Sequence, residues 1–135
     1  ANCAAIADRG GVGLILAGLQ RHTEVRGVQE QGCMLLWRLS LARGCCHAAG
    51  IAGHATIQVF VGALRAHPSS LEVQESCAAL LEDLAATSCT QITVLGGGEL
   101  IAQTMRAQPR SEHIQGCGCG LLGRFAEEGA EGLAR

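Results

Sequence analysis

Eight cysteines, five histidines and two glycine-rich stretches are the residues of this 135-residue chain whose types could do chemistry. The densest cluster is Cys45-Cys46-His47, with Cys89 in the matching connector further on. Thiolates and imidazoles suggest zinc, which wants four tetrahedral ligands, usually from spaced pairs such as C-x-x-C or H-x-x-x-H. Adjacent cysteines rarely reach one ion together, Cys117 and Cys119 are one residue apart, and C-x-x-C does not occur. The spacing fits neither a zinc site nor a disulfide framework. It predicts free thiols and a reducing, intracellular setting, cytoplasmic and/or nuclear. Arg9 to Gly13 (RGGVG) and Gly96 to Leu100 (GGGEL) resemble loops that cradle phosphate at a helix N-terminus. Neither matches G-x-x-x-x-G-K-[ST], and no Lys exists to reach a phosphate. His22 and His67 stand near no recurring Ser or Cys with a supporting acid. No catalytic, cofactor-binding or metal residue is assigned: the expectation is a non-enzyme without cofactor or small-molecule substrate.

The elements that position these residues come from composition and periodicity. Apolar residues make up 48% of the chain, but its only aromatics are Trp37, Phe60 and Phe125, so Ala, Leu, Val, Ile and Gly must pack closely approaching helices. The net charge of −2, with every basic residue an Arg, gives no footprint for nucleic acid. The longest apolar run, within Gly11 to Leu19, falls far short of the roughly 20 residues that span a bilayer.

Thirteen residues are written nearly three times: VQEQGCMLLWRLS from Val28, VQESCAALLEDLA from Val73 and IQGCGCGLLGRFA from Ile114. The offsets between these markers align much else: Ile6 with Ile51, Ile92 and Leu133; Leu14 with Val59 and Leu100; Leu19 with Leu64 and Met105; Pro68 with Pro109. Such periodicity marks a repeat array. The expected units are about 2–43, 46–86 and 88–127, with a truncated fourth at about 130–135. Because the chain opens on Ala1 and a new unit starts near Leu133, the expectation is a segment of a longer array. Each unit reads as a short helix (Asn2 to Asp8, Thr90 to Leu95), a Gly-rich break, a second helix and a longest third helix. Ser69 and Glu72 have capping-box spacing, and His22, His67 and Gln108 fall where a side chain can meet the second helix's last carbonyls. Cys33, Cys77 and Cys119, five, four and five residues past their markers, read as buried small hydrophobes.

On these residues, above all VQE-x-x-C-x-x-L-x-x-L, the units resemble armadillo repeats, with HEAT-type repeats as the neighbouring alternative. The resemblance implies an all-α, right-handed superhelical solenoid whose third helices line a concave groove. Its function would be protein–protein interaction, holding an extended peptide or a partner's helix. Offsets 3, 6 and 10 past each marker would face that groove: Gln31, Met34 and Arg38, then Ser76, Ala79 and Asp83, then Cys117, Gly120 and Arg124. Trp37, at offset 9, is either an interface anchor or flank packing. Family members that hold basic peptides carry Trp at offset 6 and Asn at offset 10. This chain has neither, and Arg38 and Arg124 would repel such a ligand. The expected partner is a protein or peptide carrying acidic residues, not nucleic acid or membrane. A structural spacer without a groove, and a cysteine-based metal or redox module, are the other readings.

Overall fold

Apolar residues at helical spacing, broken by glycine and proline, fold the chain into an all-α structure. The computed structural model describes residues 10–44, 49–51 and 53–134, with side chains as far as 128. The expected helix at Asn2 to Asp8, the Cys45-Cys46-His47 cluster and the Leu133 side chain lie outside the described residues. Six helices are described: α1 (Gly11–Arg21), α2 (Arg26–Arg43), α3 (His54–Ala66), α4 (Leu71–Val94), α5 (Gly97–Ala107) and α6 (Glu112–Ala134). Gly10 and Gly96, aligned in the repeat, start α1 and α5 from the left-handed region, at φ 77 and 81, which favours glycine. The expected helix at Thr90 to Leu95 lies beyond a kink at Ser88, φ −131 and ψ 28, which divides α4 into two helical segments.

The helices pair as antiparallel hairpins, α1 with α2, α3 with α4 and α5 with α6. The short helices then pack α1 on α3 and α3 on α5, and the long ones α2 on α4 and α4 on α6. Two layers result, with α4 at the centre of the long one. Its Val73, Cys77, Leu80, Leu81 and Leu84 meet Leu36 and Leu39 of α2, Phe60 and Leu64 of α3, and Leu121 of α6 in one continuous core. Leu14, aligned with the buried Leu100, is instead 77% exposed.

The turn inside each hairpin explains the repeated Gln. The last four carbonyls of a helix have no intrahelical donor. Gln29 Nε2 donates to the carbonyls of Leu19 and His22, both at 3.0 Å. Gln74 does the same to Leu64 and His67, at 3.2 and 3.1 Å. Gln115 repeats it on Met105 and Gln108, at 2.9 and 3.2 Å. The backbone at all three turns also repeats: Val25, Ser70 and Ser111 donate N–H to the carbonyls of His22, His67 and Gln108. Three sequence copies are thus three copies of one hydrogen-bonded hairpin turn.

Two local expectations shift by a residue or a partner. Ser70, not the exposed Ser69, caps α4, accepting from the Val73 N–H at 3.3 Å. Ser111 caps α6 in the same way, accepting from Ile114 N–H at 3.1 Å. The His67 imidazole does meet a carbonyl, but that of Thr23 in the preceding hairpin, with Nε2 donating at 2.7 Å. Beside it Ser70 Oγ donates to Glu30 at 2.7 Å, so polar contacts as well as the core join the first two hairpins.

Replacing Gln74 with Met keeps volume but removes the buried donor to two carbonyls. Gln74→Met should lower stability by roughly 2–3 kcal/mol, read from the denaturant midpoint, whereas Gln58→Met on the exposed side of α3 should be neutral. Equal midpoints for the two variants would mean the bonded turn does not hold the hairpin.

Candidate interaction surface

The outer side of the long-helix layer carries two adjoining clefts. One, of about 500 Å³, lies between α4 and α6 and is lined by Ala79, Glu82 and Asp83 on α4 and Cys119, Gly120, Gly123, Arg124 and Glu127 on α6. The other, of about 290 Å³, brings Trp37, Ser40 and Leu41 of α2 to Ala79, Glu82 and Asp83 of α4 and to His113 and Cys117 of α6. No residue of α1, α3 or α5 lines either cleft. Both therefore open away from the short-helix layer, and they share the α4 residues between them.

Small side chains make the space. Ala79 stands at the middle of α4, flanked by both clefts. Gly120 leaves room for the Glu82 side chain: a Cβ there would lie 2.7 Å from Glu82 Oε2, so the carboxylate would have to swing aside. Above α4 the Trp37 and His113 rings meet with centroids 4.8 Å apart and planes tilted by 39°. This contact joins the first long helix to the third.

Of the residues expected to face a groove, Ala79, Asp83, Gly120 and Arg124 come together in the larger cleft, and Trp37, Ala79, Asp83 and Cys117 in the smaller. Gln31, Met34 and Arg38 line neither; Gln31 and Arg38 are exposed on α2 and Met34 is half-buried. Ser76 is fully buried, its hydroxyl bonded back to the Glu72 carbonyl at 2.7 Å, so it offers nothing on this face. Offset 9 supplies Trp37, Glu82 and Gly123, and offset 13 supplies Leu41, Ala86 and Glu127, and all six line a cleft. These offsets continue offset 6 at helical spacing along one stripe. That periodicity was the available signal for Glu82 and Glu127.

The larger cleft carries three carboxylates, Glu82, Asp83 and Glu127, against one guanidinium, Arg124. Glu82 also acts on Cys117, the thiol of the smaller cleft. Burial, then the charge and hydrogen bonding of Glu82, then the charge of Glu75, push Cys117 up to about 12. Cys117 Sγ lies 3.8 Å from His113 Nε2, yet the pair does not make a thiolate nucleophile near neutral pH, because that requires a depressed thiol pKa. Among the described residues no group of three or more His, Cys, Asp or Glu side chains could hold a metal ion. No helix among them is long and apolar enough to cross a membrane.

The cysteine register differs from expectation. Cys33 and Cys77 are buried, but Cys119 is exposed and Cys117 takes the buried place. Offset 5 on α2 points at the next long helix. On α6 no further long helix follows among the described residues, and offset 3 points back at α4 instead.

Exposure and pKa together order thiol reactivity. At pH 7.5 Cys119 should react with a maleimide roughly a thousandfold faster than Cys117, as read by fragment mass spectrometry of the native protein. The Cys117 rate should climb about tenfold per pH unit towards 12, since only its thiolate reacts. Equal rates for the two thiols at pH 7.5 would contradict this placement of Cys117.

Compared with family models, with curated proteins and with solved structures, the chain finds no match.

Proposed function

We propose that this chain is an armadillo-type repeat scaffold for protein–protein interaction, a right-handed superhelix that holds an extended peptide or a partner helix along its long-helix face. The observation that carries this reading is the pair of adjoining clefts confined to that face and lined by three successive long helices. A strand of partner chain laid across them would touch each hairpin in turn, as an array with one repeated contact surface allows. The bonded turn shared by the three hairpins supports the repeat class.

The partner we propose is of mixed charge. Arg38 and Arg124 are both exposed, and a guanidinium forks onto a carboxylate in a fixed planar geometry. An acidic residue of the partner would meet Arg124, while Glu82 and Glu127 on the same walls would accept from an adjacent amide or basic group. Met34 would flank an apolar side chain. The spacer reading has one observation in its favour: the Trp37–His113 contact fills part of the same face with the chain's own rings.

A displayed library of random peptides, selected on the purified protein, separates the two. On the groove reading, selected peptides bind with an affinity that Arg124→Glu or Ala79→Arg weakens at least tenfold, about 1.4 kcal/mol. Arg106→Glu, on the short-helix side, should leave it unchanged. Failure to enrich any peptide, or equal affinity for all three variants, would favour the spacer.

A further inference from the structure

The first and second hairpins meet at a pair of sulfurs. Cys33 on α2 and Cys77 on α4 are both fully buried. Cys77 Sγ donates to Cys33 Sγ at 3.4 Å, across a sequence separation of 44 residues. A disulfide needs a separation of about 2.05 Å, so bond formation requires the two sulfurs to close by little more than an ångström. The other described thiols have different neighbours: Cys117 lies beside His113 and Glu82, and Cys89 beside Thr93 and Glu128. Cys33 and Cys77 are therefore placed for each other.

Their surroundings also set when they can react. Oxidation starts from a thiolate that an oxidant can reach. The hydrogen bond from Cys77 to Cys33, and then burial, hold the Cys77 thiol well above its usual range. No oxidant reaches sulfurs with zero exposed surface. In the closed fold the pair is inert, and reaction has to wait until α2 moves away from α4. Local openings of this kind occur in native proteins, with free energies up to that of global unfolding.

We propose that Cys33 and Cys77 are a redox latch between the first two hairpins, closed by thiol–disulfide exchange with a small oxidised disulfide when the α2–α4 interface opens. On opening, one of the two thiols loses its proton to solvent, and the thiolate attacks a sulfur of the oxidant RS–SR. The oxidant's S–S bond breaks, RS⁻ leaves, and a mixed disulfide forms on the protein. The second cysteine, deprotonated in turn, attacks the protein sulfur of that mixed disulfide and expels the other RS⁻. Two protein thiols are oxidised to one disulfide, and RS–SR is reduced to two RSH once the released protons are taken up. The crosslink closes a loop across α3 and ties α2 to α4, which restricts the unfolded chain. It also fixes the spacing of the two long helices that carry Trp37 and Ala79.

Oxidised glutathione tests this on the full chain, with and without urea held below the unfolding midpoint. The expected products are peptides joined through Cys33 and Cys77 in an unreduced digest, formed faster in urea because opening limits the rate. The melting temperature should rise by several degrees and return when dithiothreitol is added. Cys33→Ala and Cys77→Ala should each abolish the linked peptide and the shift. Mapping of the unsubstituted protein keeps the test valid if a variant folds poorly. Recovery of Cys33 and Cys77 as thiols, as stable glutathione adducts, or joined to other cysteines in place of each other would overturn the latch.

Discussion

Burying the end of a helix against another helix leaves carbonyl oxygens that neither water nor the helix itself can satisfy, and the rest of this structure depends on how that constraint is met. Each hairpin meets it with one glutamine in the first turn of the long helix, whose amide nitrogen reaches back to two carbonyls at the end of the short one. The donor is fixed ten residues from one carbonyl and seven from the other in the first hairpin and again in the second and third. This sets the axial register of short against long helix. Register in turn decides which offset of each long helix faces its hairpin partner, which faces the neighbouring hairpin and which faces outward.

With register fixed, the two-layer arrangement follows from side-chain size. Aromatics are scarce, so close packing relies on small residues and branched aliphatics, and α4 can be buried on most of its circumference. The outward stripe of the long helices is where packing does not dictate side chains, and there the small and charged residues collect. Ala79, Gly120 and Gly123 open space, and Glu82, Asp83, Glu127 and Arg124 line it. The buried thiol beside this face, Cys117, is held protonated by its burial first and then by the charge and hydrogen bonding of Glu82.

The periodicity of the chain made the helices, their glycine starts and their proline ends readable, because those depend on local backbone chemistry. The Val-Gln marker was readable as a repeat but not as a clasp, since a glutamine's two acceptors lie seven and ten residues away on another helix. The choice of Ser70 over Ser69 turns on the placement of a turn by one residue. Cys119 and Cys117 exchange burial because burial on the last long helix depends on which side has a neighbour, a tertiary fact absent from the marker spacing. The outward stripe was half legible. Offsets 6 and 10 placed Ala79, Asp83, Gly120 and Arg124, while offsets 9 and 13, with Glu82 and Glu127, needed the observed helix phase. Trp37 lacked a readable role because its partner His113 sits two hairpins further along the chain.

Amide hydrogen exchange at the glutamine side chains, followed by NMR, tests the central claim most directly. If one bonded turn is built three times, the Nε2 protons of Gln29, Gln74 and Gln115 should exchange at least ~100-fold more slowly than those of the exposed Gln31 and Gln58. Exchange of any of the three at the rate of Gln31 would show that its carbonyls are satisfied another way, and the hairpins would not share a common construction.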